Sequence, residues 1–211
     1  MTSWFVEVGP VNDLTDMTQA VSLLVRARRI LVIGCSGGGK TTLARWLSTR
    51  FALPFVSMDR EFFWLPGWVS RPRAEQRAMI TARIDEPEWI MDGTNSSSFD
   101  LRLPRTEIVI WVRMPRLLCL SGALRRWLQW RGQARPEMAD GCPERVNWEF
   151  VRYIWTFERR YAPIIVAGLK EHCVPVLQIR SRAQMRLLLD FLGRSPNSDF
   201  ATNHVVKHSA E

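Results

Sequence analysis

Lysine is scarce in this 211-residue chain: Lys40, Lys170 and Lys207 are the only three, so 26 of its 29 basic residues are arginines. Cysteine is sparse and scattered. Cys35, Cys119, Cys142 and Cys173 form no C-x-x-C pair and have no histidine at ligand spacing, which excludes a disulfide framework and a zinc site. No apolar run approaches the ~18 residues of a membrane span; the longest are stretches such as Glu107–Val112 and Ala162–Leu169. The N-terminus carries acids where a secretory signal would carry Lys or Arg, so a soluble cytoplasmic protein is expected, with no membrane partner. With 46% hydrophobic and 24% charged residues, the chain can bury one sizeable core and does not read as disordered or repetitive.

Against 21 acids, the basic residues leave a formal charge of +8. Arginine's planar fork matches two phosphate oxygens at once, so a basic surface of this kind suits a polyanionic ligand. Charge alone does not choose among nucleotide, sugar phosphate and nucleic acid.

Hydrophobic patterning divides the chain into three parts. Residues 1–28 read as an extension in which Leu14, Met17, Val21, Leu24 and Val25 predict a helix over 13–27 capped by Asp13. A main domain runs over 29–192, and a loose tail over 193–211. Within the domain, Arg29–Gly34 is a continuous apolar run, the pattern of a strand buried on both faces. Further strands are predicted at 54–58, 89–91, 107–112 and 174–179. Helices are predicted from Lys40, from Pro72 to Ile84, from Pro115 to Trp130, over 147–169 with a break near Pro163, and over 181–192. Strands alternating with helices predict an α/β fold, a sheet with helices on both faces.

Gly34-Cys35-Ser36-Gly37-Gly38-Gly39-Lys40-Thr41 fits G-x-x-x-x-G-K-[ST]. A polyphosphate must be wrapped by backbone N–H groups at close range, so the loop must carry small side chains. The following helix, with Thr42 in its first turn, aims free N–H groups at the same phosphates. Lys40 is placed to bridge β- and γ-oxygens and Thr41 to bind Mg²⁺. In this chain of few lysines, one falls where the motif requires it.

Ligands of open α/β sheets gather at the carboxyl ends of strands. Asp92 follows the apolar Trp89-Ile90-Met91 and is the second candidate for Mg²⁺. Asp59 follows Phe55–Met58 and is the candidate to orient or deprotonate an acceptor. Arg113 to Arg160 holds ten arginines against five acids, and Arg125, Arg131 and Arg135 are the lid residues expected to meet transferred phosphate. Trp64 and Trp68 are candidates for an acceptor wall, with Arg71 and Arg73 beside Pro72 as contacts for an anionic acceptor.

Taken together, ILVIGCSGGGKTTLAR, PGWVSRP after Asp59, WIMDGTNSS, LRLPRTEIVIWV and RPEMADGCPER resemble P-loop kinases of the adenylate-kinase-like kind. The similarity is narrower still to small bacterial P-loop proteins often labelled "DNA topology modulation protein" or "adenylate kinase-like ATPase". That resemblance implies a P-loop NTPase fold with a five-stranded parallel sheet, helices on both faces and a small Arg-rich helical lid over about 125–146, with ATP in the phosphate loop and Mg²⁺. In adenylate kinases the third strand leads into Asp-Gly-Phe-Pro-Arg, which helps hold AMP; here Asp92-Gly93 is followed by Thr94-Asn95-Ser96. The expected function is a Mg-dependent transfer of the ATP γ-phosphoryl to a small acceptor: nucleoside, nucleotide or other hydroxyl metabolite. The protein would act as a monomer or homodimer without nucleic acid. The rival readings are a slow ATPase and a nucleotide-responsive nucleic-acid-binding regulator.

Overall fold

The computed structural model describes Phe5 and residues 11–133, 135–144 and 146–194; the tail expected from 193 lies, beyond 194, outside the described residues. Five strands form one parallel sheet: β1 (Arg29–Gly34), β2 (Phe55–Ser57), β5 (Trp89–Asp92), β6 (Ile108–Val112) and β7 (Val176–Ile179). Every residue of β5 and β6 is buried, as are five of the six in β1, so apolar cover is needed on both faces. The helices α1 (Met17–Arg26), α2 (Lys40–Phe51), α3 (Arg73–Ile84), α5 (Arg116–Gln129), α6 (Trp148–His172) and α7 (Arg182–Arg194), with the short α4 (Phe99–Arg102), supply that cover. This is the expected fold class.

The spatial order is β2-β5-β1-β6-β7. From β1 the chain moves outward to β2, returns to β5 beside β1, then crosses to β6 on the other side. The carboxyl end of β1 therefore lies where the winding direction reverses, the crevice in which open α/β sheets hold ligands. The Gly34–Thr41 loop begins at that point.

Three local features differ from the sequence reading. Helix α1 is capped by Asp16, whose side chain accepts from the Thr18 N–H, and not by Asp13. Asp13 instead bridges to Val176: Leu14 N–H donates to the Val176 carbonyl and Val176 N–H to the Asn12 carbonyl, each at 2.8 Å, so the extension pairs with the edge of β7. Helix α6 continues through Pro163. The lost backbone bond there is outweighed by a buried face of Ile154, Phe157, Ala162, Ile165, Val166 and Leu169. Finally, 59–70 is more ordered than a loop. A single π-turn over Asp59–Phe63 leads into a two-stranded hairpin, β3 (Trp64–Leu65) with β4 (Val69–Ser70). Strands of two residues are too short to leave a periodic signal.

Candidate functional site

The phosphate loop is built by close packing. At Gly37 (φ +77°) an added Cβ would lie 2.0 Å from the Cys119 carbonyl oxygen, and at Gly122 of α5 it would lie 2.1 Å from the Gly37 carbonyl oxygen. Loop and helix thus touch backbone to backbone. Helix α2 opens on Gly39 with no side-chain cap and no acid in its first turn, leaving its N–H groups and positive dipole end to a ligand. Lys40 Nζ donates to the Cys35 carbonyl at 3.1 Å, folded back on its own loop. Cys35 is buried, and burial with the neighbouring Cys119 thiol pushes its pKa well up, so it fills space and is no nucleophile.

Asp92, at the end of β5, is buried. Its Oδ2 accepts from Thr41 Oγ1 at 2.5 Å, while Oδ1 is buried with no partner. Desolvation raises the Asp92 pKa, against the pull of Lys40. A hydroxyl and an orphaned carboxylate oxygen beside a phosphate loop are hard oxygen donors with room for one more cation contact, which is the donor set Mg²⁺ takes together with phosphate oxygens and water. The residues present fit Mg²⁺, which Thr41 and Asp92 would hold. Among the described residues no cluster of three or more His, Cys, Asp or Glu could hold a metal by itself.

Asp59 faces the same space from the end of β2. Its side chain is exposed to the cavity, and desolvation by the neighbouring protein raises its pKa. Lys40, Arg135 and Arg126 oppose the rise. Lys40, Thr41, Asp59 and Asp92 line one cavity of about 380 Å³, joined by Trp64 and Tyr153. It adjoins a recess of about 340 Å³ reached past Trp68, Met138, Glu144 and Phe150.

The segment expected to form a lid is docked, not free. Ser57 Oγ donates to the Glu137 carbonyl at 2.8 Å, Arg45 pairs with Glu137 at 2.7 Å, and Gly67 N–H donates to the Gly141 carbonyl at 3.1 Å. Met138, Ala139 and Cys142 are buried against Trp64 and Trp68, whose rings meet edge to face at 5.3 Å. Glu144, 6% exposed, sits between two arginines. Arg126 Nε donates to its Oε1 at 2.7 Å, and Arg135 Nε lies 2.7 Å from its Oε2 in an ion pair without hydrogen-bond alignment. The Arg126 guanidinium lies over the Phe150 ring at 5.8 Å; among the described residues the terminal nitrogens of both arginines have no hydrogen-bond partner, and both side chains line the cavity.

Of the residues singled out from sequence, Gly34, Ser36, Lys40, Thr41, Asp59, Trp64, Asp92 and Arg135 meet at this cavity. Thr42 lies exposed in the first turn of α2, and Trp68 lines the recess. Arg125 is exposed outside the cavity, and Arg131 is exposed with its guanidinium over the Trp127 ring. Arg71 is turned to Glu75, and Arg73 is exposed. Arg145 lies outside the described residues. Sequence reasoning missed four contributors: Arg126, lost among its neighbours; Glu144, one acid in a basic stretch; Gly122; and Arg102. Fully buried, Arg102 donates to the carbonyls of Gly93, Thr94 and Asn95 at 2.6–2.8 Å and so shapes the loop after β5. Burial pushes its pKa down to about 9. Thr94 Oγ1 in turn bonds both the N–H and the carbonyl of Gly34.

No protein-family profile matches the chain, and no curated protein is similar to it in sequence. Among solved structures it is similar to a shikimate kinase from Acinetobacter baumannii in complex with shikimate (16% identity, 82% of this chain and 94% of that one, TM-score 0.48). It is also similar to a shikimate kinase from Bacteroides thetaiotaomicron (17%, 79% and 96%, TM-score 0.45). A deoxyadenosine kinase from M. mycoides with bound dATP is a further likeness (13%, 78% and 99%, TM-score 0.38).

Proposed function

We propose that the protein is an ATP- and Mg²⁺-dependent kinase that transfers the γ-phosphoryl group to a hydroxyl of a small acceptor, on an adenylate-kinase-like plan. The observation that carries this reading is the pairing of Asp92 and Thr41 beside the phosphate loop, with a second carboxylate, Asp59, opening onto the same cavity. A protein that only bound nucleotide would have no use for the second acid or for the aromatic space beyond it.

Each residue then has a physical task. The α2 N-terminus and the Gly34–Thr41 backbone hold the phosphates. Lys40 leaves the Cys35 carbonyl for the β- and γ-oxygens and follows charge as it moves. Thr41 and Asp92 would hold Mg²⁺, which would supply charge neutralisation at the phosphates. Asp59 orients the acceptor hydroxyl and accepts its proton as the oxygen attacks the γ-phosphorus, whose bond to the β–γ bridging oxygen breaks to release ADP. The free ends of Arg126 and Arg135, fixed through Nε by Glu144, face the transferred group. Electrostatic stabilisation by such preorganised donors is the main resource in phosphoryl transfer, where the protein itself forms no bond to phosphorus.

The test is transfer from γ-labelled ATP to a panel of hydroxyl acceptors, run with the wild type and with Asp59→Asn. The reading expects a labelled acceptor that disappears in the variant while Mg·ATP binding stays. A rate of ATP hydrolysis that no acceptor changes would leave a slow ATPase in its place.

A further inference from the structure

We propose that the outer face of α5 and of the first half of α6 docks on an anionic lipid surface and holds the protein peripherally at a membrane. The inference is independent of what the cavity transforms. Ten large apolar side chains are exposed among the described residues, and six of them lie here: Leu117, Leu118, Leu124 and Leu128 on α5, Trp148 and Trp155 on α6. Scattered singly, such side chains are ordinary; gathered on neighbouring helices, they mark a contact surface.

The helical repeat gathers them further. At 3.6 residues per turn, Leu117, Leu124 and Leu128 fall within about 40° of one another. They lie on the side of α5 opposite the buried Cys119 and Ala123. On α6, Trp148, Arg152, Trp155 and Arg159 share a stripe about 60° wide, and all four are exposed. The Arg116 guanidinium, at the start of α5, lies over the Trp155 ring at 3.8 Å, so the tryptophan stripe borders α5. Arg126, near the other end of α5, lies over Phe150, so the two helices run antiparallel side by side.

Charge here is as one-sided as apolarity. Helix α5 contains no acid. The first half of α6 has two, and both are engaged away from the stripe: Glu149 lines the recess beside the cavity, and Glu158 pairs with Arg113. Arg125 flanks the leucines, and Arg152 and Arg159 alternate with the tryptophans. A second copy of the chain fits this face poorly, since an isologous pairing would set arginines against arginines with no acid on either side. A peptide held in a groove fits no better, because Leu117, Leu124, Leu128 and Trp148 line neither the cavity, nor the recess, nor the small pocket beneath Trp155. An anionic bilayer answers each feature. Leucines enter the acyl boundary, tryptophans take the headgroup level, and arginines lay their apolar stems down while their charged ends reach lipid phosphates. The expectation of no membrane partner rested chiefly on the lack of a spanning run, which bears on crossing a bilayer and not on lying against one.

The experiment is co-sedimentation of the full chain with vesicles of phosphatidylglycerol mixed into phosphatidylcholine, and with vesicles of phosphatidylcholine alone. The expected result is binding to the anionic vesicles about tenfold or more above the neutral ones, weakening at about 1 M salt, where the Debye length falls to about 3 Å. Leu124→Glu with Leu128→Glu, and separately Arg152→Glu, should each lower that binding about fivefold or more. Their melting midpoints should stay at the wild-type value, because all three side chains are exposed. Leu187→Glu makes the same charge change at an exposed leucine of α7 and should leave binding intact. An equal loss in that variant would assign the effect to net charge and overturn the docking face. Equal binding to the two kinds of vesicle, or none to either, overturns the inference as well. So does a chain that associates with itself as concentration rises and loses that association through Leu124→Glu with Leu128→Glu, because a second copy would then cover the face.

Discussion

Asp92 carries an acid oxygen that is buried and has no partner, and such a group stays only where something compensates it in the working state. Asp92→Asn removes a charge held at a desolvation cost, so the ligand-free protein should melt no lower than wild type. The same change should remove most of the extra thermal shift that Mg²⁺ adds to ATP, because that shift reports ligand held only by the folded state. A Mg-dependent shift that survives in the variant would place the metal elsewhere. The pH dependence has a definite sign. Asp59 and Asp92 have raised pKa values in the fold, so from about pH 3.9 upward the native state still holds protons that the unfolded chain has released. Their contribution to stability is full below that window and is lost as pH rises through the folded values. Catalysis runs the other way. Both acids act ionised, so the acid limb of kcat/KM should lie above the ordinary aspartate range and should shift when Mg²⁺ concentration is varied. Lys40→Ala should lower the single-turnover rate by about a hundredfold or more, as loss of one transition-state donor does. These three residues were legible in the sequence because loop and strand-end chemistry is local; Glu144 was not, since its meaning comes from two arginines that meet it through space.

At the scale of elements, α5 connects the phosphate loop to the lid. Its Gly122 lies on Gly37, and the same helix carries Arg126 one turn further on. The helix predicted over 115–130 matches α5 in extent, but an isolated glycine in a helical pattern carries no sign of the backbone contact it makes. Gly122→Val should push α5 off the loop and weaken ATP binding about tenfold or more, with the urea midpoint falling as well, since overpacking costs about 1–3 kcal/mol. Glu144→Gln separates positioning from folding. It keeps the size of the side chain but releases two guanidinium groups from a shared carboxylate, so kcat should fall about tenfold or more while KM for ATP stays within about twofold. Glu144→Asp, retaining the charge, should recover part of the loss. Equal falls in kcat and in thermal stability, with no recovery by Asp, would reduce Glu144 to a structural tie. The hairpin on which the docked segment rests escaped sequence reading because its two-residue strands leave no periodic signal, and its contact with the segment, Trp68 N–H to Cys142 Sγ at 3.3 Å, joins residues 74 apart.

At the scale of the molecule, sheet composition could be read from apolar runs, but the order β2-β5-β1-β6-β7 could not, because a strand's apolar run says nothing of which strand it pairs with. The N-terminal segment shows the same limit. Its apolar stripe signalled packing, while the pairing of 12–14 with β7 is a backbone event that leaves no trace in side chains. Among the described residues no helix is long and apolar enough to cross a membrane. Removing residues 1–28 would do two separable things. It would expose the surface now covered by Leu14, Val21 and Leu24, each worth about 1.5–3 kcal/mol when fully buried, for a loss on the order of 5 kcal/mol. That is comparable with the ~5–15 kcal/mol that holds a typical domain together. It would also uncover the outer edge of β7, a template for pairing with another chain. The truncated protein should therefore denature at much lower urea and should self-associate with rising concentration in size-exclusion chromatography. Leu24→Ala isolates the first effect: its backbone pairing is intact, so it should lower the midpoint by about 2–5 kcal/mol worth of stability without inducing association. If the truncated chain kept a wild-type midpoint, α1 would be an ornament on a self-sufficient domain; if Leu24→Ala alone caused association, the apolar face and not the sheet edge would be the surface that needs protection.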